Sequence, residues 1–306
     1  MALHRLDSIT VGVPDVAAAS VFYEDFGLTP SSDGWFSTVE GGNQLRLVAS
    51  PSRRLVEACF ATDDVDDIGR IHSRLAQRGF AAAIDGAGLL TADPATQTTI
   101  RVVARTRLQQ QRYDAPAVNG PGRADRINAR AAGILVQAPV RPRRLGHFVL
   151  GTTDFEHSRQ FFVDGLGFKV SDIVKDVGVF LRCSTDHHNV LIQRSPVPFL
   201  HHSSWQVDDV DAIGRGAMAV LDGHPERHMW GLGRHYAGSN FFWYFRDPAG
   251  NYAEYHSDMD SIPEDAIWSP EVLEGALGLY RWGPPPPPSF ITPEDLADLM
   301  IHGHSA

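Results

Sequence analysis

Residues 208–215 read Asp-Asp-Val-Asp-Ala-Ile-Gly-Arg, and residues 63–70 read Asp-Asp-Val-Asp-Asp-Ile-Gly-Arg. The two stretches differ at a single position and are offset by 145 residues (208 minus 63). Each begins with aspartates suited to capping a helix and continues with apolar residues at helical spacing. So long a match within one chain indicates a duplicated structural unit.

Further matches occur in the same order along both halves of the chain: residues 12–16 with 151–155, 22–28 with 161–168, and 93–95 with 247–249. Within each half, an alternating strand leads through an aspartate-containing turn into a helix, and short β-rich runs follow. This pattern appears twice in each half. The sequence therefore predicts an α+β protein in which four βαβββ modules form two tandem domains.

The repeat also predicts the domain boundaries. We expect an N-terminal domain over residues 1–106, a linker over 107–144, a second domain over 145–260 and a C-terminal extension over 261–306. The linker is rich in Pro and Gly, which interrupt regular elements. The extension contains consecutive prolines at 284–288, a stiff and extended run, and is a candidate lid over a site in the second domain.

Composition limits the class of protein. The chain has 306 residues, of which 43% are hydrophobic, and its formal net charge is -10 without a concentrated basic cluster, so nucleic-acid binding is not expected. The sequence contains no run of about 18 apolar residues and no signal-peptide pattern, so neither a membrane span nor secretion is expected. Cys59 and Cys183 lie in apolar runs of different halves, which fits free thiols in a reducing cytoplasm.

Three polar residues lie in apolar, strand-like segments of the second half. His147 precedes Phe-Val-Leu, His202 lies in the run 199–207, and Glu254 ends the stretch 247–254, Asp-Pro-Ala-Gly-Asn-Tyr-Ala-Glu. Two imidazoles and one carboxylate are the ligand set of a non-haem iron(II) site that keeps open positions. One such histidine alone is more often a hydrogen-bonded core residue, but three polar residues at matching places in successive modules favour a metal site.

The first half serves as an internal control for this metal site. The local offsets of the repeat map the three candidate ligands onto Ser8, Glu57 and Ile100. A serine, a glutamate and an isoleucine cannot hold a divalent metal together. The N-terminal domain is therefore expected to be a structural partner without a metal.

The repeated βαβββ unit, the strand histidines His147 and His202 and the ending Asp-Pro-Ala-Gly-Asn-x-x-Glu at Glu254 resemble the vicinal oxygen chelate superfamily, with its glyoxalase/bleomycin resistance/dihydroxybiphenyl dioxygenase fold. Over about residues 3–260 the chain is similar to the two-domain type I extradiol ring-cleaving dioxygenases. The resemblance implies Fe(II), with Mn(II) as the alternative, and O2 as co-substrate. It also makes His202, rather than the neighbouring His201, the ligand; His201 is expected on the opposite strand face.

The resemblance implies an activity as well. The expected reaction is ring cleavage of a small aromatic diol, a substituted catechol, next to its two hydroxyl groups. Both atoms of O2 are inserted, as in the catabolism of aromatic compounds. His188 resembles the acid–base histidine on the oxygen side of the metal, while His235 and Tyr244 resemble the residues that orient the catecholate. Each also has a structural explanation, as a turn residue, a loop residue or strand packing. Their occurrence in register with the ligands favours the dioxygenase.

The walls of the substrate pocket are predicted only by residue type: Phe180, Phe199, Trp205, Trp282 and the loop 224–232. Their aromatic content suggests a bulky or substituted catechol. Arg182, Arg281 or the loop histidines are alternative partners for a ring carboxylate, and the sequence does not decide between them.

Alternative functions remain open at this point. The first is a metal-dependent lyase, isomerase or resistance enzyme of the same fold without oxygen chemistry, which would not need the three acid–base candidates together. The second is a non-catalytic binding protein, and the third is a ketoacid-dependent hydroxylating relative. Because paired modules leave sheet edges and helical faces available for self-association, a homo-oligomer is predicted.

Overall fold

The computed structural model describes residues 2–302 and contains two mixed β-sheets. The first half of the chain forms an eight-stranded sheet, and the second half forms a nine-stranded sheet. Helices pack against both sheets and leave a continuous apolar core between the halves. The α+β prediction with four βαβββ modules is confirmed. No helix within residues 2–302 is long and apolar enough to cross a membrane.

The first sheet contains eight strands: β1 (Leu3–Val13), β2 (Thr29–Pro30), β3 (Trp35–Thr38), β4 (Gly42–Ala49), β5 (Arg54–Thr62), β6 (Ala82–Asp85), β7 (Gly88–Ala92) and β8 (Thr99–Ala104). Its two helices are α1 (Val16–Asp25) and α2 (Val65–Gln77). The strand order is β2-β3-β4-β1-β5-β8-β7-β6, with β1 and β5 antiparallel at the centre. The two modules of this half therefore meet through their first strands.

The second sheet contains nine strands: β9 (Arg144–Thr152), β10 (Lys169–Val174), β11 (Gly178–Arg182), β12 (Val190–Arg194), β13 (Phe199–Gln206), β14 (His228–Arg234), β15 (Phe241–Arg246), β16 (Tyr252–Ser257) and β17 (Val272–Leu273). The remaining helices are α3 (Ala132–Leu135) before β9, α4 (Phe155–Gln160), which continues as a π-helix over Phe161–Leu166, α5 (Val210–Leu221), α6 (Pro288–Ile291) and α7 (Leu296–His302). The strand order is β14-β15-β16-β13-β9-β12-β11-β10-β17. The C-terminal extension thus adds an edge strand, β17, parallel to β10.

An aspartate begins the helix of every module. Asp15, Asp64, Asp154 and Asp209 each accept a hydrogen bond from the backbone N–H three residues later, at 2.7–3.1 Å. An aspartate in this position satisfies one of the N–H groups that a helix leaves without a partner, which typically contributes about 1 kcal/mol. The capping predicted from the repeat is therefore present in all four modules.

The two halves are joined by aromatic packing. The ring of Phe26, directly after α1, stacks on Tyr255 of β16 with centroids 4.2 Å apart, and Tyr255 donates a hydrogen bond to the Phe26 carbonyl. Trp205 of β13 contacts the same ring edge-on at 6.5 Å. Because these side chains are fully buried, the first half supports the strands of the second half from behind.

Candidate metal centre and active site

The three candidate ligands meet on neighbouring strands of the second sheet. His147 lies on β9, His202 on β13 and Glu254 on β16, and these strands are adjacent in the order β16-β13-β9. Glu254 Oε2 lies 3.1 Å from His147 Nε2 and 3.5 Å from His202 Nε2, and the two histidine nitrogens are 3.4 Å apart. All three side chains are buried. Residues distant in sequence therefore place three donor atoms at one point.

The geometry of this cluster fits a divalent cation. Nitrogen and oxygen donors bound to one ion at about 2.1 Å, at right angles to each other, stand about 3 Å apart. The buried Glu254 Oε2 faces both histidine nitrogens without a hydrogen bond from any residue that the structure describes. A buried carboxylate oxygen without a partner is costly, and a bound cation would remove that cost.

The tautomer of His202 follows from its neighbours. His201 Nε2 lies 2.7 Å from the carbonyl of Phe290, and a carbonyl only accepts, so this nitrogen carries a proton. Burial lowers the pKa of His201 to about 4, so the ring is neutral and its Nδ1 accepts from His202 Nδ1 at 2.8 Å. His202 Nε2 is consequently left with a free lone pair directed at the cluster.

This contact corrects the expected position of His201. A β-bulge between Leu200 and His202 disturbs the ladder with β9, so His201 does not point away from His202 as strand alternation predicts. Both rings are instead buried on the same side and line one cavity. A bulge of this kind leaves no signature in the alternation of apolar residues, so the sequence could not reveal it.

The corresponding place in the first sheet holds an ion pair. The ladder makes Arg101 the counterpart of Glu254, whereas the sequence offset predicts Ile100, which is buried in the core. Arg101 Nε lies 3.4 Å from the carboxylate of Glu57, the counterpart of His202. The Arg101 guanidinium thus occupies the place in the first sheet that corresponds to the metal-ligand cluster of the second sheet. The offset failed by one residue because the turns before β8 and β16 differ in length.

A cavity of about 290 Å³ opens beside the cluster. His147 and His202 form one side, and all three acid–base candidates, His188, His235 and Tyr244, reach its wall. The remaining wall is mostly apolar and includes the following side chains: Val174, Val177, Phe180, Leu191, Trp230, Leu279, Phe290 and Ile291. The cavity therefore combines a polar end at the cluster with an apolar body.

His235 and Tyr244 form a hydrogen-bonded pair in this wall. His235 Nδ1 is hydrogen-bonded to the carbonyl of Leu279, so Nδ1 carries the proton and Nε2 is the acceptor. Tyr244 Oη lies 2.9 Å from this Nε2 and donates to it. Burial and the nearby Glu254 carboxylate raise the pKa of Tyr244 well above its usual value, so its hydroxyl keeps its proton.

His188 occupies the opposite wall. Its ring lies 4.1 Å from that of His147 and 4.9 Å from that of Phe180, between centroids. Burial, together with the neighbouring histidines His147 and His187, lowers its pKa well below the usual value. Nδ1 of His188 is 3.0 Å from Nδ1 of His187, while Nε2 has no hydrogen bond to any residue between 2 and 302.

Of the four aromatic residues expected in the pocket wall, only Phe180 lines the cavity. Trp205 is fully buried in the core between the halves, and Phe199 packs against Val197 and Leu299. Trp282 is 46% exposed and contacts Phe241 edge-on. The prediction was wrong for these three. Hydrophobicity does not tell which packed face the buried Phe199 and Trp205 join, and it does not reveal that Trp282 stays partly exposed.

The extension supplies wall residues that the sequence analysis missed. Leu279, Phe290 and Ile291 line the cavity together with Gly275 and Gly278. The one available signal was the apolar pair at 290–291 beside the prolines. The extension was a candidate lid, but the sequence could not identify which of its residues reach the site.

Comparisons with known proteins agree with this geometry. The sequence profile described as Glyoxalase/Bleomycin resistance protein/Dioxygenase superfamily matches residues 144–255. The chain is 30% identical to Metapyrocatechase 2 of Cupriavidus necator over 95% of this chain and 92% of that protein. It is 26% identical to a manganese-dependent 2,3-dihydroxybiphenyl 1,2-dioxygenase of Geobacillus genomosp. 3 over 47% and 50% of the two chains. It is 27% identical to an iron-dependent extradiol dioxygenase of Rhodococcus jostii over 45% and 50%.

Solved structures share the architecture. The Mn(II)-bound glyoxalase from Novosphingobium aromaticivorans superposes with a TM-score of 0.72 and 25% identity, over 93% of this chain and 95% of that one. The 2,2',3-trihydroxybiphenyl 1,2-dioxygenase from Sphingomonas wittichii has the same TM-score at 18% identity, over 93% and 100%. At 18% identity the second likeness bears on the fold alone.

Proposed function

The chain belongs to the extradiol dioxygenases of the Glyoxalase/Bleomycin resistance protein/Dioxygenase superfamily, and on this premise we propose that it cleaves a substituted catechol next to the diol, with both atoms of O2 entering the product. One observation carries the proposal for this chain. The cluster of His147, His202 and Glu254 opens onto the same cavity as the acid–base candidates. The first half, with its Glu57–Arg101 ion pair, then acts as a structural support.

We propose His147, His202 and Glu254 as ligands of Fe(II), and Mn(II) is the alternative because relatives named for either metal match this chain. When bound, the cation supplies chelation of the diol, a lower pKa for its phenol groups and a route for electrons to dioxygen. Two neutral imidazoles and one carboxylate leave the site with a net positive charge, which suits a catecholate.

The protein's own groups then handle orientation and protons. The single proton of the Tyr244 hydroxyl, which is donated to His235 Nε2 in this structure, can be redirected to a catecholate oxygen at the polar end of the cavity. On the opposite wall, His188 keeps a free Nε2 that can accept a proton from the substrate and return it during ring opening. The apolar walls between them exclude water from the reacting atoms.

The mostly apolar wall of the cavity supports a catechol with an apolar substituent. Arg182, one candidate for a ring carboxylate, is bound to Asp265 at 2.6 Å and does not reach the cavity. Arg281 borders a separate outer cavity instead. Arg194 does reach the wall, where its guanidinium lies 4.4 Å over the ring of Phe155. The free cation that a carboxylate substituent needs is therefore not offered by the two arginines that the sequence suggested.

A metal-dependent isomerase or lyase is the second candidate function. It is favoured by the likeness to the Mn(II)-bound glyoxalase, whose identity of 25% extends over nearly the whole chain. An isomerase of this kind consumes no oxygen. The pair His235–Tyr244 and the free Nε2 of His188 would have no separate task in it.

Oxygen uptake with a panel of catechols, combined with metal analysis, separates these candidates. We expect about one iron per chain and stoichiometric oxygen consumption with at least one substituted catechol. Glu254→Gln should lose both the metal and the uptake. The control is Glu57→Gln, the same change in the first sheet at the strand position equivalent to His202, which should keep both. Metal-loaded protein without oxygen uptake on any catechol would favour the isomerase.

The His188→Phe variant tests the acid–base role. It should retain the metal and bind catechol, because His188 is not a ligand, yet lose roughly 10²-fold in kcat if its proton transfer is of ordinary size. Turnover at the parent rate would show that another group, or another reaction class, operates in this cavity.

The reducing cytoplasm expected from the sequence stays a proposal. Both cysteines, Cys59 and Cys183, are free and buried. Burial raises the pKa of Cys59 to about 12, which keeps it as an unreactive thiol.

A further inference from the structure

Asp172 is a buried acidic residue that neither the metal cluster nor the substrate cavity uses. It lies on β10 and is 4% exposed. Its Oδ1 accepts the backbone N–H of Glu271 at 2.8 Å, and its Oδ2 lies 3.0 Å from Nε2 of His187. His187 is fully buried between the rings of Phe180 and Trp268. A buried carboxyl group joined to a buried imidazole is an arrangement that controls where protons reside.

The hydrogen bonds from Asp172 assign the protons one after another. A carboxylate only accepts, so the proton between the first two residues is on His187 Nε2. With a single proton on each ring, Nδ1 of His187 is unprotonated and accepts from His188 Nδ1 at 3.0 Å. With its proton on Nδ1, His188 keeps an unprotonated Nε2. This nitrogen belongs to the ring that lines the substrate cavity.

We propose that Asp172 and His187 are positioning residues that hold His188 in the tautomer with a free Nε2 in the active-site cavity. The consequence for turnover rests on the function proposed above. A ring held in this state can accept a proton from a substrate hydroxyl, whereas the opposite tautomer would present an N–H there and could only donate. The Asp172 carboxylate, which is connected to His188 through two successive hydrogen bonds, thus sets the order of proton transfers at His188.

The position of Asp172 supports such a role. Asp172 also borders an outer cavity of about 460 Å³, and His235 borders both this cavity and the substrate cavity. A purely structural role for Asp172 would be satisfied by its bond to Glu271, which fastens the extension to β10. That role does not require the second oxygen to face an imidazole, and the two roles make different predictions.

Asp172→Asn separates the two roles because the backbone N–H of Glu271 does not change. That N–H requires an acceptor, so the Asn amide oxygen must face it, and the amide NH2 must face His187. His187 Nε2 then becomes an acceptor, its Nδ1 carries the proton, and His188 Nδ1 must accept. The variant therefore keeps the size and the bond to Glu271 but moves the His188 proton to Nε2.

The tautomers can be read from two-bond ¹H–¹⁵N correlations of histidine-labelled protein, loaded with diamagnetic Zn(II) as a stand-in for iron. The His188 signals are identified by their loss in His188→Phe. In the parent we expect Nε2 of His188 to be unprotonated, and in Asp172→Asn we expect it to be protonated. We also expect kcat of the iron enzyme to fall roughly 10²-fold while KM for catechol changes little.

The control is Asp260→Asn, the same change at another acid that borders the outer cavity but bonds Ser239 instead. It should leave both the tautomer and kcat unchanged. If Asp172→Asn does not fold, His187→Phe fits the aromatic surroundings and should give a mixture of His188 tautomers. A protonated Nε2 in the parent, an unchanged tautomer in the variant, or a reversed tautomer with unchanged kcat would each overturn the proposal. Because the spectra need no catechol, they decide the assignment even if the proposed activity fails.

Discussion

At the scale of single residues, the imidazole of His201 connects the C-terminal extension to a candidate ligand. It donates to the Phe290 carbonyl and accepts from His202, and so leaves the second nitrogen of His202 free. Groups that hold a ligand histidine in this way commonly change metal affinity by 10- to 100-fold when they are removed. The extension can therefore influence the metal through a single ring without touching it.

His201→Phe should fold, because the site is surrounded by the rings of Tyr252 and Phe290, but it should bind Fe(II) about 10- to 100-fold more weakly. Competition against a chelator measures this affinity. His228→Phe is the control, since His228 is exposed and contacts Trp243 away from the cluster. Equal affinities in His201→Phe and the parent would contradict the tautomer assignment.

The candidate site was predictable from sequence to an uneven extent. His147, His202 and Glu254 could be found because a polar residue in an apolar strand is conspicuous, and the repeat offered a control. Asp172 and His201 could not, because their roles depend on hydrogen bonds between strands and on a bulge. Contacts of that kind are fixed by tertiary packing and have no local sequence pattern.

At the scale of elements, the C-terminal extension is fastened to both halves. Arg53, just before β5, donates two hydrogen bonds to Asp295 at 2.6 and 2.8 Å and one to the carbonyl of Leu200 at 2.7 Å. The Arg53 side chain is almost fully buried. One residue of the first half therefore holds the segment before α7 against the strand that carries His202.

Arg53→Met should loosen the extension, because methionine keeps the apolar contact with Phe199 and removes the charge. If the variant weakens the attachment of the extension over the cavity by about 1.4 kcal/mol, KM for catechol should rise about tenfold. Steady-state kinetics and limited proteolysis of the extension provide the measurement. Arg70→Met removes an exposed ion pair on α2 and should change neither. An unaltered KM in Arg53→Met would argue against a closing role for the extension.

A second ion pair holds the turn before His187. Arg144 at the start of β9 donates to both oxygens of Asp186, at 2.7 and 2.9 Å. Burial alone would raise the pKa of Asp186, but the Arg144 guanidinium outweighs it and holds this pKa below its usual value. Because the folded-state pKa is depressed, the stabilisation is complete above about pH 4 and is lost as the pH falls through the folded-state value.

Asp186→Asn should therefore lower the midpoint of thermal unfolding by about 3 °C at pH 7, the shift expected for about 1 kcal/mol. The difference from the parent should shrink steadily below pH 4. Unfolding followed by circular dichroism at several pH values measures it. A difference that stays constant down to pH 3 would mean that the carboxylate charge is not the source of the stabilisation.

The elements themselves were largely predictable. The four capped helices and the order of strands in each module follow from local patterns that are repeated. The edge strand β17 and the π-helix were not expected, because two residues pairing with β10 carry no periodicity and a widened helical turn has no composition of its own. The sequence offset missed Arg101 by one residue for a similar reason, because the turns before β8 and β16 differ in length without any change in residue pattern.

At the scale of the whole molecule, the linker exposes apolar side chains. Ile127 is 75% exposed and Ile134 is 66% exposed, and Leu135 and Val136 follow on the same segment. Soluble monomers seldom present such neighbouring apolar groups to water. Together with the open sheet edges at β2, β6 and β14, this surface supports the expected self-association.

We predict a homo-oligomer at micromolar concentration in sedimentation. Ile134→Asp should weaken the assembly, because a charge would be buried in the contact, while Val65→Asp, an equally exposed change on α2, should not. The mass of a single chain, 33.6 kDa, for the parent protein would contradict the prediction.

The Glu57–Arg101 pair makes the first sheet an internal reference for the metal site of the second sheet. The same strand geometry occurs twice in one chain. In the second sheet it carries the three candidate metal ligands, and in the first sheet it carries the permanently charged guanidinium of Arg101. The combined change Ser8→His, Glu57→His and Arg101→Glu would copy the donor set into a scaffold that has no equivalent of the His201–Phe290 link. The difference in metal affinity between the two copies would then measure how much of the binding belongs to the donors and how much to their surroundings.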